Sequence, residues 1–175
     1  MVKRAGERAK RKDKKKQIRP WLPGSHLAEI QSLAKFSQHS AQASIMEYLV
    51  TRCVKDRTFI EYVKPLLIRT IKLPSSYDSI YYSTLIGNQY PELTAHDLYQ
   101  NLKIGVTRRA SFYVTKDLKE NYLVPLTSGL DISYDGLASI AIDFTLRELL
   151  GKIAPGYITK YVNSMNVRHI QRKVN

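Results

Sequence analysis

Side chains able to carry covalent, acid–base or metal chemistry are few in this sequence and far apart. His26, His39, His96 and His169 are scattered, and none stands at zinc-ligand spacing from Cys53. There is no glycine-rich phosphate loop and no nucleophile motif. The carboxylate pairs Asp117/Glu120 and Asp143/Glu148 stand about one helical turn apart, and exposed helix faces explain them better than general acid–base work. Arg108-Arg109-Ala110-Ser111 has the form of a basophilic kinase site, a motif too short and common to carry weight. The expectation is a non-enzymatic protein with no catalytic residue, no metal ligand and no cofactor.

What the chain has in excess is cationic groups. Its 175 residues carry 28 Lys and Arg against 15 Asp and Glu, a net charge of +13 with a pI near 9.8. Such a balance favours a polyanionic partner: DNA, RNA or an anionic membrane face. No apolar run approaches the roughly 20 residues of a membrane span, and no apolar segment follows the basic N-terminus as in a signal peptide. The single cysteine excludes an intrachain disulfide framework and fits a reducing compartment. Residues 1–16 hold nine Lys or Arg against Glu7 and Asp13, so this stretch supplies +7 of the total. It is expected to be a disordered basic arm, laid along phosphates through Lys14, Lys15 and Lys16. A nuclear localisation patch or a solvated tail are its other readings.

The elements that must position these charges begin directly after the arm. In residues 17–22, Pro20 and the adjoining Pro23 exclude a helix interior, so the stretch is extended. Leu27, Ile30, Leu33 and Ala34 then recur at helical spacing. A polar break over residues 37–41 separates them from a second helical face of Ile45, Leu49 and Cys53. A short strand with two short helices cannot close a core alone and needs a second copy.

The sequence Leu22-Pro23-x-x-x-Leu27-x-x-Ile30-x-x-Leu33-Ala34, followed by Ser40 and Ile45, resembles the ribbon-helix-helix family of DNA-binding proteins. The resemblance covers residues 17–55. A second, less clean copy spans residues 108–152. There Ala110, Phe112 and Val114 alternate with Arg109, Ser111 and Tyr113. Asp117 is placed to cap a helix from Leu118, and Ser128-Gly129 to stop it. A last helix from Ser133 or Asp135 carries Leu137, Ile140, Ala141 and Phe144 on one face. Thr115 stands where Pro23 stands in the first copy, and Pro125 should kink the helix that contains it. The expected fold is therefore mainly α with a short antiparallel two-stranded β-ribbon: a tandem ribbon-helix-helix in a single chain.

The resemblance implies that the paired strands enter the major groove of double-stranded DNA, an accepted docking mode for strands. With Ile18, Pro20 and Leu22 inward, Gln17, Arg19 and Trp21 face out. By the same logic the second strand offers Arg109, Ser111 and Tyr113. Outward residues read base edges in this family, and Gln suits adenine as Arg suits guanine. A register shifted by one, with Trp21 buried, is the alternative, and Pro20 as a core residue keeps it open. Phosphate contacts are expected at the starts of the two second helices, where free N–H groups and the positive dipole end collect: Ser40, Ala41 and Gln42 in one copy, Ser133 and Tyr134 in the other, with Arg108 beside the strand. Asp135 would repel a phosphate if it pointed outward.

Residues 56–107 form a helical insertion or a degenerate repeat. Pro65 interrupts a helix over residues 59–68, residues 67–74 look like a strand, Tyr77, Tyr81 and Tyr82 read as half-buried packing residues, and Thr94 caps a helix through Leu98 and Leu102. Residues 153–175, after the Pro155-Gly156 break, form a basic tail with Ile158, Val162 and Met165 at helical spacing. The function this implies is sequence-specific duplex DNA binding by a cytoplasmic, nucleoid-associated transcriptional regulator, such as a repressor, or by an accessory protein of plasmid transfer or partition. Besides double-stranded DNA, the expected partner is a homo-oligomer on adjacent sites, and a membrane is not expected. An RNA-binding or ribosome-associated basic protein, or a protein-interaction scaffold, would use the same charge differently.

Overall fold

The computed structural model describes residues 15–37, 41–74, 80–82, 92–105 and 107–156. The protein is mainly helical with short antiparallel strand pairs. Two pairs lie in one register. β1 (Lys16–Ile18) pairs with β6 (Phe112–Val114), and β2 (Trp21–Pro23) with β5 (Thr107–Arg109). Ile18 stands opposite Phe112 and Trp21 opposite Arg109, so residues 16–23 and 107–114 pass one another without a slip. The expected single strand is split at Arg19 and Pro20. Pro20 has no N–H to give to the ladder, but its carbonyl still accepts the Ala110 N–H at 3.1 Å and holds the register across the gap.

This ribbon is amphipathic, as period-two alternation requires. Ile18, Leu22, Phe112 and Val114 are buried on its inner face, and Pro20 is buried with them. The shifted register is therefore excluded. Each strand leads into two helices. After β2 come α1 (Gly24–Phe36), entered through Pro23, and α2 (Gln42–Lys55). Ile30, Leu33 and Ala34 of α1, and Ile45, Leu49 and Cys53 of α2, are buried at the expected spacing. Burial raises the Cys53 thiol far above its ordinary pKa, against a hydrogen bond with Thr145.

After β6 the helical path departs from expectation at both ends. Thr115, not Asp117, is the cap, its hydroxyl accepting the Leu118 N–H at 3.2 Å, and the helix starts at Lys116. It runs through α5 (Lys116–Leu118), a wide turn over Lys119–Leu123, and α6 (Val124–Leu130). In the wide turn the Val124 N–H reaches back five residues to the Lys119 carbonyl, the local adjustment that precedes Pro125 in an otherwise continuous helical path. Ser128-Gly129 does not end the helix; Asp131 does, at φ 51° and ψ 48°. Gly129 serves a close approach instead. A Cβ there would lie 2.3 Å from Ile71 Cγ2, and its carbonyl accepts the Ile68 N–H at 2.8 Å.

α7 (Tyr134–Phe144), capped by Ser133, is the central helix. Leu137, Ile140, Ala141 and Phe144 are buried as expected, and so are Ala138, Ser139 and Ile142, because α7 packs on α2, on α4 (Ala95–Leu102) and on the ribbon. Another wide turn (Thr145–Leu149) and α8 (Leu150–Ile153) follow. Between the two strand–helix–helix units lie α3 (Arg57–Val63), a tight turn at Lys64–Leu66 containing Pro65, β3 (Ile71–Leu73) paired with β4 (Ile80–Tyr82), and α4 (Ala95–Leu102). Only residues 71–73 of the expected 67–74 strand are in a strand. Thr94 caps α4 in a reciprocal box with Asp97. Phe59 and Tyr62 of α3 close on Phe144 with ring centroids 5.3 and 4.7 Å away, which ties this segment to α7. Tyr77 lies outside the described residues, as do the side chains of Tyr81 and Tyr82.

Asp143 is not the exposed carboxylate its spacing suggested. It is mostly enclosed where α7 meets the start of α1, with His26 Nε2 2.8 Å from Oδ1, while Arg147 donates to Oδ2 at 2.9 and 2.6 Å. Burial works to raise its pKa, and these hydrogen bonds outweigh burial, so the group lies below the ordinary carboxylate value. Lys152 and Asp56 pair in the same manner between α8 and the start of α3.

Candidate nucleic-acid interface

The alternation that buries Ile18 and Phe112 puts the side chains of the intervening ribbon residues on the outer face. Gln17 stands opposite Tyr113, Trp21 opposite Arg109, and the shared register sets Arg19 against Ser111 at the centre. Arg19, Arg109, Ser111 and Tyr113 are exposed, and Gln17 and Trp21 are half-buried. All six residues expected at base edges thus share one surface. The two aromatics sit at its opposite ends, because a half-turn about the Arg19–Ser111 position exchanges the strands.

The same half-turn relates two cations at the ribbon ends. Lys16 and Arg108 belong to the inward-facing set by alternation, yet both are exposed. Each lies by the start of the second helix of the opposite unit. Lys16 Nζ is 5.7 Å from the centre of the Tyr134 ring at the start of α7. Arg108 shares a groove with Gln42 and Ala43 at the start of α2, along with Gly24 and Ser111. A helix start offers free N–H groups and the positive end of the dipole, so each end of the ribbon joins a side-chain cation to a helix terminus.

The two helix starts differ. Ala41 precedes α2 with extended backbone and no side-chain cap, and Ala41 and Gln42 are both exposed. Ser133 uses its hydroxyl to accept the Gly136 N–H at 3.1 Å. Asp135 turns toward the ribbon instead of outward. Its Oδ1 accepts the Arg19 backbone N–H at 2.8 Å, and Arg109 donates to Oδ2 at 3.2 Å. Charge type and spacing gave no sign of this contact, because it joins positions 116 residues apart. Arg19 itself donates to Gln17 Oε1 at 2.8 Å. Lys15 is exposed beside Lys16, whereas Lys14 and Ser40 lie outside the described residues.

Among the described residues no group of three His, Cys, Asp or Glu is placed to hold a metal ion. Nor is any helix there long and apolar enough to cross a membrane. No protein family, curated protein or solved structure matches this chain.

Proposed function

We propose that this protein is a tandem ribbon-helix-helix DNA-binding protein whose ribbon enters the major groove of duplex DNA and reads its sequence. The observation that carries the proposal is the single register joining residues 16–23 to residues 107–114. It gathers Gln17, Arg19, Trp21, Arg109, Ser111 and Tyr113 on one face and sets a cation beside each second-helix start. Two-stranded ribbons fit the major groove, and Arg and Gln there discriminate guanine and adenine. Lys16, Arg108 and the helix starts grip the flanking phosphates, which fixes register without reading sequence. The arm ahead of Lys15 adds salt-dependent affinity.

Carrying both strands in one chain permits a different residue at each base position, so the target need not be a palindrome. The biological role that goes with this reading is transcriptional regulation, or marking of a transfer or partition site on a mobile element, in association with the nucleoid. Competition binding tests it. A labelled random duplex DNA held by the protein at near-physiological salt should resist displacement by duplex RNA, whose deep, narrow major groove does not admit the ribbon. Displacement by RNA as effective as by DNA would overturn the proposal.

A further inference from the structure

The two halves of the ribbon are alike in backbone and unlike in charge. Asp135 is the second residue of α7, and its counterpart in α2 is Ala43, which has no side-chain acceptor. Arg109 belongs to the strand opposite Arg19. To reach the groups it touches, its side chain must cross the ribbon. Nε donates to the Arg19 carbonyl at 3.3 Å, Nη2 to Asp135 Oδ2 at 3.2 Å, and the guanidinium carbon lies 5.6 Å from the centre of the Trp21 ring. Asp135 is itself held, since its other oxygen accepts the Arg19 backbone N–H. The guanidinium is thus supported from a helix start, a strand edge and an indole ring, while half of the Arg109 side chain remains exposed. A guanidinium carries five N–H donors, so donors remain for a base.

We propose that Asp135 is a positioning residue that fixes Arg109 over the outer face for one guanine, so that the two halves of the DNA site are read by different rules. This rests on the proposal that the ribbon reads duplex DNA. A fixed planar fork loses less freedom on engaging guanine O6 and N7 than a free one does. The carboxylate also subtracts charge from the α7 end of the ribbon, which weakens its hold on any sequence.

Selection from a random duplex pool separates these effects, using the full chain, Asp135→Asn and Arg109→Ala. Asparagine keeps an oxygen for the Arg19 N–H and removes the charge, and thermal melting verifies that each variant folds. The parent should recover one motif with a fixed guanine in one half. Both variants should lose the guanine preference at that position by roughly 10-fold and leave the other half unchanged. On unrelated duplex they should diverge, Asp135→Asn binding more tightly than the parent and Arg109→Ala more weakly. That divergence reports the lost charge alone; the shared loss of one guanine preference, in variants that melt like the parent, is the readout a merely structural role for Asp135 would not give. Retention by Asp135→Asn of the preference that Arg109→Ala loses would overturn the inference alone. So would an even loss across the whole motif, or a failure of Asp135→Asn to fold where Arg109→Ala folds. A parent protein that recovers no motif would overturn the DNA-reading proposal and this inference with it.

Discussion

Trp21 and Arg109 face each other across the ribbon, with the guanidinium carbon 5.6 Å from the centre of the indole ring. Trp21 is the only tryptophan in the chain, so its fluorescence reports on the outer face directly. Addition of duplex DNA should change the emission, because Trp21 is half-buried and partly open to a ligand on that face. Arg109→Ala should change it without DNA by removing the cation beside the ring. An emission spectrum indifferent to saturating DNA would place the bound nucleic acid elsewhere.

Lys16 and Arg108 are predicted to act on phosphates, not bases. Replacing either by Ala should weaken binding to all duplex sequences about equally and lower the slope of log affinity against log salt by about 1. Titrations at several salt concentrations check this. A change in sequence preference with an unaltered slope would contradict the assignment.

Two glycines should respond oppositely to Ala. Gly129→Ala forces a Cβ to within 2.3 Å of Ile71 Cγ2 and 2.8 Å of Leu67 Cδ2, an overpacking expected to cost about 1–3 kcal/mol. Gly151 lies in α8 with nothing within 4 Å of its added Cβ, so Gly151→Ala should be neutral or stabilise by about 0.4–1 kcal/mol. Denaturant midpoints give both numbers, and equal effects at the two positions would refute the packing account.

The contrast between these glycines shows which features could be read along the chain. Local signals were legible: the burial of Ile30, Leu33, Ile45 and Leu49 follows from helical spacing, the alternation around Phe112 marked a strand, and Ser133 and Thr94 announced helix starts. Ser128-Gly129 also looked local, as a stop signal, but Gly129 is required by a segment about sixty positions earlier that closes on it. A sequence pattern does not encode which distant segment makes that approach. Pro125 should kink its helix by the usual rule; the chain instead widens the turn ahead of it. The six outer-face residues were legible because alternation fixes them once a register is chosen. The link from Asp135 to Arg19 and Arg109 was not, because it depends on where α7 docks against the ribbon.

Asp143 gives the fold an acid-sensitive joint between α7 and the start of α1. Its folded pKa lies below the ordinary value, where hydrogen bonds from His26 and Arg147 overcome the effect of burial. The stability it contributes is therefore complete above the ordinary carboxylate pKa and is lost as pH falls through the folded value. Unfolding midpoints measured down the acid range should decline for the parent, and Asp143→Asn should flatten part of that decline while lowering stability at neutral pH. An unchanged acid limb in the variant would show that other carboxylates control it.

Entry of the ribbon into the major groove is tested most directly by methylation interference. A random duplex pool is lightly treated with dimethyl sulfate, which marks guanine N7 in the major groove and adenine N3 in the minor groove. Limiting protein then divides the pool into bound and free DNA. Bound DNA should be depleted in N7-methylguanine and unaltered in N3-methyladenine. Equal N7-methylguanine in the two fractions, or depletion of N3-methyladenine alone, would contradict it.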